Sequence, residues 1–128
     1  MSNPNMRFAR THEWVLPEGE TAKIGISDFA VKELTDLVYM QLPAVGSAMQ
    51  VGSVFGEVES VKAVSDLYGP VSGTIASVNS ELPNNLQWLS DDPYGQGWIA
   101  QVKLADPKEL DALMTPEQYA KFCDSQAH

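Results

Sequence analysis

Short stretches of β-forming residues, separated by turn residues every few positions, constrain the fold of this chain more than any other feature. Residues 38–42 alternate apolar and polar side chains as a half-buried strand does, with Val38 and Met40 on one face. Turn residues follow at positions 43–46 (PAVG) and occur earlier at 17–20 (PEGE). Many short strands at this spacing predict a sandwich or flattened barrel. The predicted strands are residues 12–16, 21–26, 38–42, 54–61, 63–67, 71–78 with a break near Gly73, and 98–104.

Three sequence signals predict helices around these strands. Ser27 is a favourable N-cap for a short helix. Residues 106–109 (DPKE) and 115–118 (TPEQ) each place a proline directly after a capping residue, with an acid or amide three residues after the cap. Helices over about 106–123 are therefore expected to cover the barrel. The remaining expectations are a loosely held lead at 1–10, a loop at 80–96, and a single domain over 11–128.

Composition excludes several classes of protein. The net charge of -9 argues against nucleic acids and anionic membranes as partners, and a monomeric protein is expected. Cys123 is the only cysteine, so no intrachain disulfide can form. Residues 37–56 lack charged side chains, but Pro43 and Gly46 indicate strands around a turn rather than a membrane helix. The N-terminus lacks the pattern of a signal or transit peptide, so a cytoplasmic, bacterial-like location is expected.

No constellation of catalytic residues is found in the sequence. The only histidines are His12 and His128, and neither lies near Cys123 along the chain. Cysteine and histidine lack the spacing of metal ligands, and no glycine-rich phosphate loop is present. The chain is therefore predicted to be a non-catalytic carrier of a reactive group for other enzymes.

Lys62 is isolated from every other basic residue. The nearest lysines are Lys32 and Lys103, no arginine follows Arg10, and eight acidic residues lie between those two lysines. The surrounding residues predict two short strands with Lys62 near the turn between them. An ordinary surface lysine would satisfy this pattern, but so would an attachment point for a covalent cofactor.

The segment around Lys62 resembles the lipoyl-lysine motif of the glycine cleavage system H-protein family. The match runs through residues 52–63 (GSVFGEVESVKA) and 65–75 (SDLYGPVSGTI). Further matches are residues 12–14 (HEW), 24–27 (IGIS), 42–46 (LPAVG), 93–94 (PY) and 97–98 (GW). Because the resemblance covers about residues 11–122, it is far more specific than a lysine-centred pattern alone.

This resemblance implies both a fold and a function. The implied fold is mainly β, a barrel-sandwich hybrid of two antiparallel sheets like a lipoyl domain, with a short internal helix and C-terminal helices. The implied cofactor is lipoic acid, attached to Lys62 by lipoylating enzymes. The implied partners are a pyridoxal-phosphate glycine decarboxylase, a tetrahydrofolate-dependent aminomethyltransferase and a dihydrolipoyl dehydrogenase. The implied role is to carry an aminomethyl group in glycine catabolism and one-carbon metabolism.

The resemblance also assigns residues to an arm cleft. In the family a surface cleft accepts the terminal ammonium of the loaded arm, and the matching positions here are Thr11, Glu13 and Asp66. Solvated carboxylates would be the ordinary alternative for the two acids. Glu33 stands where some members carry histidine, and Thr35 replaces a glycine usual in the family. A further departure is the pair Asp91-Asp92, where small or amide residues are frequent.

Residues beside the lysine are predicted to present it to the lipoylating enzyme. They are Glu59, Ser60, Val61 and Ala63. The carboxylate of Glu59 offers an electrostatic contact to a basic partner surface.

Other carriers use a similar hairpin. A 2-oxoacid dehydrogenase lipoyl domain lacks the HEW and PY…GW segments, and a biotin carrier is expected to have methionines where Val61 and Ala63 stand. An H-protein-like carrier in sulfur metabolism or in a lipoyl relay remains an alternative. An unmodified interaction domain is the alternative from another class.

Overall fold

Two antiparallel sheets form the framework of the protein. The computed structural model describes residues 5–126. The strands are β1 (Arg7–Phe8), β2 (Glu13–Glu18), β3 (Thr21–Ile26), β4 (Leu37–Gln41), β5 (Ala48–Met49), β6 (Val54–Ser60), β7 (Val64–Tyr68), β8 (Gly73–Val78) and β9 (Ala100–Leu104). One sheet has the order β1-β2-β3-β9-β8-β5 and the other β4-β6-β7. This architecture confirms the predicted fold class.

Helices close the remaining surfaces of the sheets. They are α1 (Asp28–Leu34), α2 (Gln87–Asp91), α3 (Pro116–Gln126) and two 3₁₀ helices at Leu82–Asn84 and Pro107–Ala112. Ser27 caps α1 as predicted, because its side chain accepts a hydrogen bond from the backbone N–H of Ala30. The predicted capping box of the last helix is also confirmed. The Gln118 N–H donates to Thr115 Oγ1, and the Thr115 N–H donates to Gln118 Oε1.

The capping box predicted at residues 106–109 is confirmed only in its N-cap residue, Asp106. Asp106 accepts from the backbone N–H of Lys108 at 3.1 Å, but the helix that follows is a 3₁₀ helix. Glu109 does not close the capping box. Its carboxylate accepts from the Ser72 N–H at 2.7 Å and from Ser72 Oγ at 2.9 Å. Glu109 therefore ties the 3₁₀ helix to the segment between β7 and β8, a contact that local sequence does not show.

The prediction of a loosely held N-terminal lead is wrong for residues 6–8. Arg7 and Phe8 form β1 against β2, and Met6 and Phe8 are each only 2% exposed. Phe8 stacks on Tyr119 of α3, with ring centroids 4.1 Å apart. Apolar burial against α3 therefore holds this segment in place. The domain boundary at residue 11 stays a prediction, and residues 127–128, including His128, lie outside the described residues.

Three other expectations differ from the structure. The first hairpin turns at Gly19 and Glu20 alone, with Pro17 inside β2, since Gly19 supplies the positive φ of 69° that a tight turn needs. The segment 80–96, expected to be a loop, contains α2 and a 3₁₀ helix. Val38 is 52% exposed, because a β-bulge between Leu37 and Tyr39 interrupts the alternation of β4.

Two apolar clusters fill the interior. The larger lies between the sheets and includes Ile24, Val58 and Val102, all fully buried. The smaller joins β1 and β2 to α3 and contains Met6, Phe8, Trp14 and Tyr119. The main cluster supports the hairpin of β6 and β7, and the smaller one supports the turn that precedes β2.

Candidate functional site: the Lys62 hairpin and the Thr11–Glu13 turn

Lys62 lies at the tip of the hairpin formed by β6 and β7. The strands pair as far as Glu59 with Val64, and the Ser60 N–H then donates to the Ala63 carbonyl at 2.8 Å. Val61 and Lys62 form the two-residue loop between them. This placement confirms the hairpin predicted from sequence.

The side chain of Ser60 holds this turn together. Ser60 is 5% exposed, and its Oγ accepts from the backbone N–H groups of Lys62 at 3.3 Å and Ala63 at 3.1 Å. Neither Val61 nor Lys62 has a positive φ, so the loop is not a type I′ or II′ hairpin turn. A serine hydroxyl is well suited to bond N–H groups a few residues ahead in such a turn. Ser60 is therefore a structural residue of the tip, while Val61, at 69% exposed, and Ala63 face solvent.

The Lys62 side chain is exposed and has no polar partner among residues 5–126. Its backbone is fixed by Ser60, and the Val61 N–H donates to the Asp36 carbonyl at 3.0 Å. No hydrogen bond or ion pair of Lys62 Nζ occurs in the described part of the chain. A fixed backbone with an unpaired exposed amine fits covalent attachment of an acyl group, because an enzyme reaches the amine without breaking a contact.

Glu13 is a buried carboxylate, which differs from the solvated acid that was the ordinary alternative. It is 1% exposed, and its Oε2 accepts from the Tyr68 N–H of β7 at 3.0 Å. Its Oε1 accepts from Thr11 Oγ1. Burial raises the pKa of Glu13 from 4.5 to about 7, although the hydrogen bonds from Thr11 and Tyr68 oppose this shift. Near neutral pH the group therefore exists in both protonation states.

Asp66 and Glu33 are not part of this contact. Asp66 is exposed on β7, two residues from Tyr68, and no bond between Asp66 and Glu13 is recorded in residues 5–126. Glu33 is exposed on α1. Thr11 and Glu13 are therefore hydrogen-bonded to each other, and Glu13 is also bonded to β7, the strand that carries Asp66.

A hydrogen-bonded triad behind Glu13 is absent from the sequence-based prediction. His12 Nδ1 lies 2.7 Å from the Tyr119 hydroxyl, and that hydroxyl lies 2.5 Å from Ser27 Oγ. The Ser27 N–H donates to the His12 carbonyl at 2.9 Å, and His12 has a φ of 79°. The triad fixes the unusual backbone of the turn that carries Thr11 and Glu13. His12 belongs to the HEW segment, but local sequence does not indicate its contact with Tyr119, 107 residues away.

The other motif residues of the sequence meet around Trp14. The indole N–H donates to the Pro93 carbonyl at 3.1 Å, and the indole ring lies against Gly25, where a Cβ would come within 2.5 Å of it. The Tyr94 hydroxyl donates to Asp28 at 2.9 Å. The HEW, IGIS and PY segments therefore form one packing unit, which positions the Thr11–Glu13 turn.

The departures from the family pattern have local consequences. Thr35 has a φ of 63° at the C-terminus of α1, a conformation in which glycine is favoured. Glycine would adopt this conformation with less strain than threonine. Asp92 accepts from the Gln96 N–H at 3.0 Å and stabilises the turn after α2. Neither departure touches the Lys62 hairpin.

Within residues 5–126 no group of His, Cys, Asp and Glu side chains has the arrangement of a metal site. No helix in that same part of the chain is long and apolar enough to cross a bilayer.

The chain is similar to known proteins over nearly its whole length. The family model for the glycine cleavage H-protein matches residues 6–126. The chain belongs to the glycine cleavage H-protein family. A relative from Carboxydothermus hydrogenoformans, named glycine cleavage system H protein, is 45% identical over 95% of this chain and 94% of its own length. One of the same name from Rubrobacter xylanophilus is 48% identical over 93% and 92%.

A solved structure agrees in fold with this H-protein family member. It is a glycine cleavage system H protein from Mycobacterium marinum, with a TM-score of 0.84 and 33% sequence identity. The match covers 99% of this chain and 100% of that one. The recognition made from the motifs around Lys62 is confirmed.

Proposed function

We propose that this protein is the lipoylated shuttle of the glycine cleavage system. It carries an aminomethyl group from the pyridoxal-phosphate glycine decarboxylase to the tetrahydrofolate-dependent aminomethyltransferase. The observation that carries the proposal is Lys62, an exposed amine without a partner in residues 5–126, on a turn that Ser60 holds. Family membership over residues 6–126 supplies the pathway. The alternative, a lipoate carrier of sulfur metabolism or of a lipoyl relay, is not favoured, because the relatives are named for glycine cleavage.

Lipoic acid is the cofactor that fits this site. Joined to Lys62 Nζ through an amide, it supplies a disulfide that is opened to accept the aminomethyl group and is later restored. The protein contributes the attachment point and fixes its backbone through Ser60. Exposure of Lys62 gives several enzymes access to the same atom.

The partners follow from this role. The decarboxylase and the aminomethyltransferase use the arm in turn, a dihydrolipoyl dehydrogenase restores its disulfide, and lipoylating enzymes attach it. Because the arm is tethered, its effective concentration at each docked enzyme is raised without any new contact. The chain itself acts as a carrier subunit and not as a catalyst.

Thr11, Glu13 and Asp66 form the proposed acceptor for the ammonium of the aminomethyl-carrying arm. The Glu13 carboxylate accepts hydrogen bonds from Thr11 and from the Tyr68 N–H. Tyr68 lies on β7, the strand that also carries Asp66. Asp66 lies on β7, two residues after Val64, where the strand begins beyond the Lys62 loop. An ammonium beside Glu13 favours the ionised carboxylate, so we expect protection of the arm to strengthen as pH rises through about 7.

Substitution of Lys62 tests the attachment. Lys62→Arg keeps the charge of an exposed residue, and we expect lipoylation to be abolished while the free energy of unfolding changes by less than about 0.5 kcal/mol. Intact mass after incubation with a lipoylating enzyme and lipoate measures the outcome. Lys103→Arg, at another exposed lysine, is the matched control and should be lipoylated fully. Lipoate found on Lys103 or Lys32 would contradict the proposal.

A double substitution tests the acceptor. Glu13→Gln with Asp66→Asn should leave lipoylation intact and speed the release of ammonia and formaldehyde from the aminomethyl-carrying protein. Charge-assisted hydrogen bonds contribute about 1.5–3 kcal/mol, so release should rise by about ten- to a hundredfold. Glu18→Gln, at an exposed acid of the first hairpin, controls for charge. Equal release rates in the double variant and the parent would remove these carboxylates from the acceptor.

A further inference from the structure

Exposed apolar side chains concentrate around Lys62. Seven large hydrophobic residues are strongly exposed among residues 5–126, and four of them lie at this end of the three-stranded sheet. These four, here named the tip patch, are Val38, Tyr39, Val61 and Val64, at 52%, 50%, 69% and 58% exposed. Scattered single exposed residues are ordinary, but a group of exposed apolar residues at one end of a sheet is typical of a contact surface.

A β-bulge in β4 creates part of this patch. Leu37 pairs with Ser60 and Tyr39 with Glu59, so Val38 is the extra residue of the bulge. In an uninterrupted ladder Val38 would stand opposite Ser60 and share the inner face with Met40, which is 2% exposed. The bulge instead places Leu37 in that inner position and Val38 outside. The chain thus turns a second apolar side chain toward solvent, next to Tyr39.

Strand register places carboxylates directly beside the tip patch. Glu59 pairs with Tyr39 on one side and with Val64 on the other. In the next outward-facing row, Glu57 pairs with Asp66. Cross-strand neighbours lie about 5 Å apart, so Glu59 lies between Tyr39 and Val64, and Glu57 lies in the row behind it. Lys62 is the only cation between Lys32 and Lys103, and an amide on Nζ removes its charge.

We propose that the tip patch and its bordering acids, Glu57 and Glu59, form one docking face for the enzymes that admit the Lys62 arm. This inference rests on the proposed function. The partner surface it fits is the mouth of an active site, with an apolar depression that receives Tyr39 and Val38 and with arginine or lysine side chains beside it. Any enzyme that draws in the arm must bring its entrance against this tip, so the face is continuous with the site of attachment. Apolar contacts give the affinity, and the acids give orientation and speed of encounter.

Lipoylated protein with serine at the patch tests this face. The double variant Val38→Ser with Tyr39→Ser should raise the KM for the carrier by about tenfold, with kcat unchanged, in the decarboxylase or the aminomethyltransferase reaction. The matched controls are Val45→Ser and Val51→Ser, which remove valines of similar exposure, 61% and 55%, outside the tip patch. They should keep the KM of the parent. Thermal unfolding of each variant establishes that the fold is retained.

The acids are tested by salt. The KM of the parent should rise with ionic strength, since exposed charge pairs are screened. Glu57→Gln with Glu59→Gln should raise the KM at low salt and flatten this dependence. A KM that does not respond to salt in the parent would contradict the acidic part of the face.

Two outcomes separate this inference from the function on which it rests. If the parent is not lipoylated at Lys62, or if the lipoylated parent is not turned over, the proposed function fails. If the parent is turned over and the Val38 and Tyr39 variants keep its KM in both reactions, the docking face alone is wrong. An equal rise in KM for Val45→Ser and Val51→Ser would also overturn it, because the effect would then not be specific to the tip.

Discussion

The Lys62 tip and the Thr11–Glu13 turn differ in exposure, since Lys62 faces solvent and Glu13 is buried. The tip is held mainly by neighbours in sequence, since Ser60 bonds the N–H groups of Lys62 and Ala63 two and three residues ahead. One longer-range bond, from the Val61 N–H to the Asp36 carbonyl, adds to these. The side chain it presents faces solvent. This turn therefore gives Lys62 a fixed backbone and an accessible side chain, which the proposed attachment of an acyl group needs.

The Thr11–Glu13 turn depends instead on distant parts of the chain. Glu13 bonds a residue 55 positions away, and His12 one 107 positions away. The result is a buried carboxylate whose pKa lies near 7. The difference between the two regions shows that a local turn is enough to expose a side chain. A carboxylate with a raised pKa instead needs distant segments to pack around it and exclude water.

The largest expected effect on stability comes from substitution of the buried residue, Glu13. The pKa of Glu13 is about 7 in the folded protein and 4.5 as its ordinary value, so the folded state holds the proton more tightly. The stability that this group contributes is complete below pH 4.5 and is lost as pH rises to about 7. Glu13→Gln removes the buried charge, keeps an oxygen for the Tyr68 N–H and turns an NH₂ toward Thr11. It should therefore be more stable than the parent at pH 8 by up to about 3 kcal/mol, with no gain at pH 4.5.

Denaturant unfolding between pH 4.5 and pH 8 measures this difference. Asp66→Asn is the control, because it removes an exposed carboxylate from the adjacent strand and should change the free energy of unfolding by less than about 0.5 kcal/mol. A Glu13→Gln variant with the same pH dependence as the parent would mean that water reaches Glu13.

A medium effect is expected at the tip. Ser60→Ala leaves the N–H groups of Lys62 and Ala63 without the serine oxygen, and water can replace it only in part. We expect a loss of about 1 kcal/mol in unfolding free energy. Amide hydrogen exchange should become faster at Lys62 and Ala63, and lipoylation slower. Ser53→Ala, at an exposed serine before β6, is the matched control; unchanged exchange in Ser60→Ala would show that the strands alone fix the tip.

The smallest expected effect on stability comes from Glu59, an acid beside the exposed Lys62 tip. Glu59→Lys reverses a charge beside the tip patch, and unfolding free energy should change by less than about 0.5 kcal/mol. Lipoylation should nevertheless slow at low salt, because the carboxylate faces the basic surface of the lipoylating enzyme. Initial rates of lipoate transfer measure this, with Glu18→Lys as a control of equal net charge. Equal rates for the two variants would leave Glu59 without a part in recognition.

Signals that operate over a few residues were predictable from the sequence. The caps at Ser27 and Thr115 are as expected, because a capping side chain bonds an N–H two or three residues ahead. The Lys62 hairpin is as expected for the same reason. Glu109 shows the limit, since it fits a capping box by spacing yet bonds Ser72, 37 residues away. Local spacing does not reveal whether the Glu109 carboxylate bonds the N–H of its own N-cap residue, Asp106, or that of distant Ser72.

Long-range contacts decided the rest of the site. Residues 6–8 were expected to be loose, but Phe8 stacks on Tyr119. Val38 was expected to share a face with Met40, but the register of β4 against β6 includes a bulge. Both depend on a partner element that a single segment of sequence does not specify.

The sequence by itself therefore determined the mainly β fold, the family and the placement of Lys62, the proposed attachment residue, at a hairpin tip, because these rest on local turns and on a motif contiguous in the chain. Only the tertiary structure decided that Glu13 is buried, which raises its pKa to about 7, and that Val38 is exposed beside Tyr39. The physical reason is that burial and register are properties of pairs of distant segments. Desolvation of one carboxylate and exposure of one valine are fixed only when those segments pack together.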